Sequence, residues 1–502
     1  MLATVDSCLL VGMEGRLIEV QAESARGKPG LTLIGLASTS VKEAKERVRA
    51  AIDNSGIGFP RRRFTVNLAP PEMRKSGAAL DLAIAVAVLL ADTGKPAPGR
   101  TAYLGELGLD GAVRHVDGVL VAARWLRGRG YRRLFVPHAD AGEAALVDGI
   151  EVVPCARLGD VAAHLLHGEP LEPYRVAPQA EVSALPVEHD LAEIQGQEEA
   201  KRALEIAAAG GHHLLMSGPP GAGKTMLARC VPGILPPLTL DEALEVAQVR
   251  SLLGELPARG PLDWGRPFRA PHHGVSTSGL VGGGSGVALP GEISRANHGV
   301  LFIDEMAEFQ GAALQALRQP LESGRVTITR SGGSVVYPAR FMLVAATNPC
   351  PCGWAGDSKR ACRCSAAAIE AYQRKLSGPL LDRVDIKVTV RRVAPAVLSG
   401  EPDAEPSPAV RERVVAARAR QLARQGGLNA LLKPGRLRRD AELAAEARRA
   451  LERWAEQQGL SARGFHRAWR VARTVADLDR SDRIEEQHVL EALGYRLQDI
   501  AA

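Results

Sequence analysis

Three short segments of this chain carry side chains whose types and spacing suit nucleotide hydrolysis. The first is GPPGAGKT, Gly218 to Thr225, which follows the apolar run HLLMS and opens a helix-like stretch, MLARCV. It is the G-x-x-x-x-G-K-[ST] pattern in its strand–loop–helix context. Gly218, Gly221 and Gly223 let the backbone wind around phosphates with its N–H groups inward. Pro219, Pro220 and Ala222 complete the loop, and the helix N-terminus adds a favourable dipole. Lys224 is predicted to reach the β- and γ-phosphates of ATP, and Thr225 to offer its hydroxyl to Mg2+. The second segment, GVLFIDE (299–305), delivers Asp304 to a strand end as a Mg2+-shell ligand, with Glu305 beside it to polarise an attacking water. That pair makes hydrolysis the expected reaction. The third, FMLVAATN (341–348), ends in Asn348, an amide that can orient the water beside the γ-phosphate.

These groups need a scaffold. HLLMSG (213–218), VLFIDE (300–305) and FMLVAATN (341–348) read as buried parallel strands, with the chemistry at their C-terminal ends, as in open α/β sheets. They fall in a block over 189–392. The block before it, 1–170, alternates β-type runs with helical stretches. LTLIGL (31–36), RFTVNLA (63–69) and the runs near Leu134–Pro137 and Glu151–Pro154 read as strands. VKEAKERVRAAIDNSG (41–56) reads as an amphipathic helix closed by Gly56, and a second helix runs from Gly77 to Ala91. Prolines mark a linker over 171–188 and another over 393–408. Residues 409–502 read as helical.

Length and composition agree with three domains in 502 residues. Hydrophobic residues make up 46% and charged residues 24%, as in ordinary globular proteins. Aromatics are only 4%, so Leu, Val, Ile and Ala must fill the cores. The net charge of +6 (63 Lys+Arg minus 57 Asp+Glu) is too mild by itself to argue for nucleic acid. No stretch reaches the roughly 18 apolar residues of a membrane span. The longest, 78–91, contains Asp81 and reads as a buried helix. Seven cysteines argue against a disulfide framework. No basic region precedes an apolar stretch at the N-terminus, so a cytoplasmic protein is expected.

In this order, the three strand ends resemble those of AAA+ ATPases, with Asn348 as the sensor-1 residue. GPLLDRVDI resembles the arginine-finger segment of such rings, which implies Arg383 as the finger. SARGFHRAWRVARTVADLD (461–479) resembles the sensor-2 helix of a lid, with Arg463 at the matching position. More specifically, GRPFRAPHHGVSTSGLVGGG, ALPGEISRANHGVLFIDE, ATNPCPCG and SGPLLDRVD resemble the YifB/ComM family of magnesium-chelatase-like AAA+ proteins. The resemblance covers essentially the whole chain. It implies an α/β P-loop core with a C-terminal helical lid, assembled as a homo-oligomeric ring, a hexamer. It implies an ATP- and Mg2+-dependent helicase that drives branch migration of DNA, single-stranded or branched, during natural transformation. A magnesium-chelatase motor subunit and a MoxR-like remodelling ATPase are the rival readings.

Block 1–170 resembles the proteolytic domain of Lon, an α+β fold like that of ribosomal protein S5. Lon carries P-K-D-G-P-S-A-G, with the serine as nucleophile. Here MRKSGAALD (73–81) aligns Lys75 and Gly77 and puts Ala79 in the serine's place, with Ser76 three residues early. An alanine has no nucleophile to activate, so a non-proteolytic scaffold or DNA-contacting cap is expected.

Two further features could meet metal or DNA. Cys350, Cys352, Cys362 and Cys364 fall within 15 residues. Four thiolates can close a tetrahedral Zn2+ site, and reduced thiols or an iron–sulfur cluster are the alternatives. His272 and His273 read as local hydrogen-bonding groups. VTITR and SVVYP flank Ser331-Gly332-Gly333, a β-hairpin signal that resembles the pore-lining hairpin of MCM-like helicases, with Arg330 at the tip as a DNA contact. The glycine-rich stretch 278–284 reads as a second pore loop. Residues 411–450 hold 11 Lys+Arg against 4 acidic residues, a net +7 that suits either a phosphate-tracking surface or a solvated helical face.

Overall fold

The computed structural model describes residues 1–35, 39–70, 78–175, 188–256, 262–284, 287–330, 333–357, 359–376, 378–399 and 404–497. The chain opens on β1 (Leu2–Val11) and β2 (Glu14–Ala25), an antiparallel pair turned at Gly12, whose φ is 65°. Alternation along β2 points Ile18, Val20 and Ala22 inward. There follow β3 (Gly30–Ile34), helix α1 (Thr39–Asn54), β4 (Arg63–Ala69) and helix α2 (Asp81–Thr93). Strand β5 (Thr101–Tyr103), helix α3 (Val119–Gly128), β6 (Arg133–Pro137) and β7 (Glu151–Cys155) complete the unit. The seven strands form one mixed sheet in the order β3-β4-β2-β1-β5-β6-β7.

Helix α2 is buried from Asp81 to Ala91, an apolar rod under the sheet. The one charge in that buried stretch, Asp81, has a partner. Arg47 of α1 forks onto Asp81 at 2.8 and 3.1 Å, and the Leu107 N–H donates at 3.3 Å, which lets a carboxylate sit in an apolar core. The expected helix start at Gly77, and Lys75 and Ser76, lie outside the described residues.

A second sheet follows helix α4 (Glu198–Gly210). Its strands are β8 (Leu214–Ser217), β9 (Phe268–Arg269), β10 (Val300–Ile303), β13 (Met342–Thr347) and β14 (Ile386–Thr389), ordered β9-β10-β13-β8-β14 and all parallel. Numbers β11 (Arg325–Arg330) and β12 (Gly333–Pro338) belong to a separate antiparallel hairpin. Because β8 lies between β13 and β14, the chain leaves it in both directions, and a crevice opens beyond its C-terminal end. Helix α5 (Lys224–Ile234) leaves that crevice, and α6 (Leu240–Ser251) starts on a reciprocal Thr239–Glu242 capping box.

The C-terminal region is helical, led by α7 (Ser407–Gln425), α8 (Ala462–Leu478) and α9 (Glu486–Leu497). Val410, Val414, Trp469 and Val475 share one apolar cluster with Leu204 of α4 and Leu214 of β8. Leu238, Ala243 and Val246 join Val119 and Leu120 of the first unit in another.

Candidate nucleotide site

The phosphate loop leaves β8 at Gly218, where only glycine fits: an added Cβ would lie 2.1 Å from the Val390 carbonyl oxygen. Gly221 and Gly223 take φ of 75° and 93°, a left-handed turn that brings the backbone to the start of α5. Lys224 is buried there. Its ammonium donates to the carbonyls of Gly218 (2.5 Å) and Pro219 (3.0 Å) and to Asn348 Oδ1 (3.2 Å). Burial pulls its pKa down to about 8, against the attraction of Asp304 and Glu305. No carboxylate contacts it among the described residues, so its charge is available to a phosphate. The Thr225 hydroxyl donates to Asp304 Oδ2 at 2.8 Å. A hydroxyl and a carboxylate meeting at the loop suit a hard, oxygen-seeking cation such as Mg2+.

Glu305 sits one residue on with φ 49° and ψ 47°, a left-handed conformation that a non-glycine residue adopts at a cost of about 1–3 kcal/mol. Its N–H donates to Asp304 Oδ1 at 2.9 Å, and His273 Nδ1 lies 3.6 Å from its Oε2. The sequence alone reads His273 as a local hydrogen-bonding group. Its position beside Glu305 follows from the strand order, which sets β9, four residues upstream of it, next to β10. Gln197 escapes the sequence reading altogether. Its φ is 64°, and its amide donates to the carbonyls of Ala222 (3.0 Å) and Arg391 (2.5 Å). It borders a cleft of about 300 Å3 beside the phosphate loop, lined also by Gly196, Val393 and Val397. Gly196-Gln197 just ahead of α4 is the signal that could have found it.

Arg383 and Arg463 stand elsewhere. Arg383 precedes β14, and its guanidinium pairs with Glu322. Since Ile386 is level with Leu214 and Thr389 with Ser217, Arg383 lies at the end of the sheet opposite the phosphate loop, about 13 Å of strand away. Arg463 is exposed in the first turn of α8. Further along the helix, Arg467 and Thr474 reach the same far end: Arg467 lies 3.5 Å from Asp385, and His212 bridges Asp385 (3.4 Å) to Thr474 (2.8 Å).

The four cysteines converge. Their sulfurs lie within 4.8 Å of one another, with Cys350 3.4 Å from Cys352 and 3.7 Å from Cys362. Tetrahedral zinc with bonds of ~2.3 Å needs sulfurs ~3.8 Å apart, so this set fits the ion. N–H groups of Ala355 and Cys364 donate to Cys350 and Cys362 at 3.3 and 3.4 Å. The loop also leans on the nucleotide site, because a Cβ on Gly353 would lie 2.6 Å from Pro220.

Comparison with known proteins completes the picture. Three family models match: "Magnesium chelatase, subunit ChlI" over residues 190–398, "Subunit ChlI of Mg-chelatase" over 18–140, and "Magnesium chelatase, subunit ChlI C-terminal" over 404–496. Protein YifB of Escherichia coli K12 is 42% identical over 503 residues, covering 99% of this chain and 97% of its own length. Competence protein ComM of Haemophilus influenzae matches with the same identity and coverage. This chain belongs to the YifB/ComM family of magnesium-chelatase-like AAA+ ATPases. A Lon protease of Rhizobium meliloti is 29% identical over 187 residues, 34% of this chain and 23% of the protease. The fold of this YifB/ComM-family member is therefore a Lon-like α+β unit, an AAA+ α/β core and a helical C-terminal region. Nucleotide, Mg2+ and ATP hydrolysis belong to the family.

In this YifB/ComM-family chain Ala79 lines a cleft of about 320 Å3 with Cys8, Glu106, His115 and Asp117. The hairpin forms as expected, with the 331–332 turn outside the described residues. Arg330 donates to the Gly284 carbonyl of the glycine-rich stretch, which joins the two expected pore elements. Much of the basic charge in 411–450 is committed internally. Arg413 pairs with Glu205 (2.5 Å), Arg420 with Asp482 (2.6 Å), Arg424 with Asp477 (2.7 Å) and Arg436 with Asp440 (2.7 Å), while Arg418 donates to the Ala208 carbonyl (2.9 Å). No helix among the described residues is long and apolar enough to cross a membrane.

Proposed function

We propose that this chain is the protomer of an ATP-hydrolysing ring, a hexamer, that acts on DNA and drives branch migration. The observation that carries the reading is the division of one nucleotide machine between two ends of a single sheet. Lys224, Thr225, Asp304, Glu305 and Asn348 gather at one end, and Arg383 stands at the other. A site that needs Arg383 must take it from a second copy, which makes a closed ring the assembly. ATP bound with Mg2+ supplies the phosphoryl group and the charge that Thr225 and Asp304 face. Lys224 neutralises phosphate charge, Asn348 orients the water and Glu305, braced by His273, takes its proton. The cleft at Gln197 receives the base, and Arg463, which like Arg383 stands away from the phosphate loop of its own chain, acts as the second sensor of a neighbouring copy's site. The four cysteines hold a structural Zn2+, and the Lon-like unit, with Ala79 in the nucleophile's position, is a scaffold.

DNA enters through the relatives, since a protein 42% identical over 99% of this chain is named a competence protein. Arg330, at the hairpin tip, is a proposed contact. The second reading, a chelatase-type motor subunit, is favoured by the ChlI descriptions of all three family models. A strand-exchange assay on a branched three-strand substrate separates them. The helicase reading expects ATP-dependent branch movement that Lys224→Ala abolishes. ATP turnover without branch movement on any DNA would overturn it.

A further inference from the structure

The β11–β12 hairpin has two faces of different character. On one, Val326, Val335 and Tyr337 are buried: Val326 packs into the core beside the second sheet, and Val335 and Tyr337 pack toward the Lon-like unit, where a Cβ on Gly12 would lie 2.2 Å from Val335. Arg330 belongs to this side of the register and is tied to Gly284. On the other face Arg325, Thr327 and Thr329 of β11 and Ser334 and Val336 of β12 are exposed. Thr327 pairs with Val336 and Thr329 with Ser334, so the hydroxyls form a continuous strip with no acidic residue in either strand.

At its base the strip runs into a cleft of about 300 Å3 between the hairpin, α3 and α6. Three arginines line it: Arg124 from α3, and Arg325 and Arg340 from the two ends of the hairpin. Gly324 sets the last two side by side, with φ of 64° and room for a Cβ only 3.2 Å from Arg340 Cγ. Arg124 gives one nitrogen to Gln248 at 2.9 Å. The guanidinium groups of Arg325 and Arg340 have no hydrogen-bond or ion-pair partner among the described residues, unlike those of Arg413, Arg420 and Arg424, although the charge of Arg340 helps to hold the nearby Glu245 ionised. The one acid in the lining, Glu245, is already engaged by His298 (2.8 Å) and Asn297 (3.4 Å). Three cations facing one engaged carboxylate leave a net positive cleft.

We propose that this cleft and the hydroxyl strip above it bind the sugar–phosphate backbone of a DNA strand. Guanidinium forks match phosphate oxygens in shape as well as charge, and serine and threonine hydroxyls donate to the same oxygens. Backbone contact without base readout is what a motor that tolerates every sequence requires. The assignment rests on the DNA-motor reading above, and it places the strand along the outer hairpin face from the junction with the Lon-like unit.

The test is fluorescence anisotropy of full-length protein on labelled forked DNA of two unrelated sequences, from about 50 to 200 mM salt. The Arg325→Gln/Arg340→Gln variant, checked for folding by thermal melting, should weaken binding equally on both sequences. It should also lower the slope of log affinity against log salt by about one for each phosphate that is no longer neutralised. The Arg325→Lys/Arg340→Lys variant should restore the slope, because a lysine still displaces counterions. A benzophenone side chain at position 336 should crosslink to the strand. Wild-type affinity and slope in the Gln variant would overturn this site while leaving the DNA-motor reading intact. Gln and Lys variants equally weakened would assign the arginines a packing role and overturn it too. Intact DNA binding together with failed ring assembly would give the cleft to an acidic surface of a neighbouring copy, again overturning the proposal. Wild-type protein that binds no DNA would overturn the reading on which it rests.

Discussion

Lys224 and Asn348 meet across two neighbouring strand ends, the ammonium donating to the amide oxygen at 3.2 Å. The contact links the phosphate loop after β8 to the end of β13, and it holds a buried cation on neutral oxygens alone. An incoming phosphate therefore finds a charge with no carboxylate to displace. Lys224→Ala should cost nucleotide affinity about 3 kcal/mol, roughly a hundredfold. Titration calorimetry with ATP checks it, and near-wild-type affinity would contradict the site.

Glu305→Gln should bind ATP with near-normal affinity and hydrolyse it at least about a hundredfold more slowly, because an amide cannot take the water's proton. Arg383→Ala should be inactive through the opposite defect. Mixing the two proteins should restore part of the turnover at interfaces that pair an intact Glu305 with an intact Arg383. Steady-state hydrolysis across mixing ratios reads this directly, and no recovery at any ratio would argue against an arginine supplied by a neighbour.

Elemental analysis should find one zinc per chain. The Cys350→Ser/Cys352→Ser variant should release the ion and, because Gly353 abuts Pro220, lose ATPase activity with it. Metal-free wild-type protein with full activity would leave four ordinary thiols.

His298 lies between Glu242 (3.4 Å) and Glu245 (2.8 Å), joining α6 to the start of β10. Burial alone would lower its pKa, but the two carboxylates outweigh burial and raise it above the ordinary 6.5. A raised folded value means that the stabilisation is complete below about pH 6.5 and is lost as pH rises through the folded pKa. For Glu242 burial is likewise outweighed, by His298 and Arg266, which hold it down to about 2. Its contribution is present above about pH 4.5 and lost as pH falls toward 2. The difference in Tm between wild type and His298→Gln should therefore be largest between these limits, about 2 °C, and shrink on the alkaline side. A pH-independent difference would remove the charge from the account.

The phosphate loop, Asp304 and Asn348 were legible in the sequence because each lies at the end of its own apolar strand. Local order was enough. His273 and Gln197 were not, since their positions depend on which strands become neighbours and on a left-handed residue ahead of α4. The long β1–β2 hairpin is hard to read because Asp6 and Ser7 interrupt its apolar pattern, and sheet pairing supplies what the pattern lacks. The net charge of 411–450 misleads in the other direction, since composition cannot show that Arg413, Arg420 and Arg424 face acids of the same chain.

The central claim is that this ATPase answers to DNA. Steady-state ATP hydrolysis by the wild-type protein, measured at about 50 mM salt with and without a four-way DNA junction, tests it most directly. Turnover should rise several-fold with the junction, and the rise should fade as salt is increased. Equal turnover with and without DNA, at every salt concentration, would contradict the account.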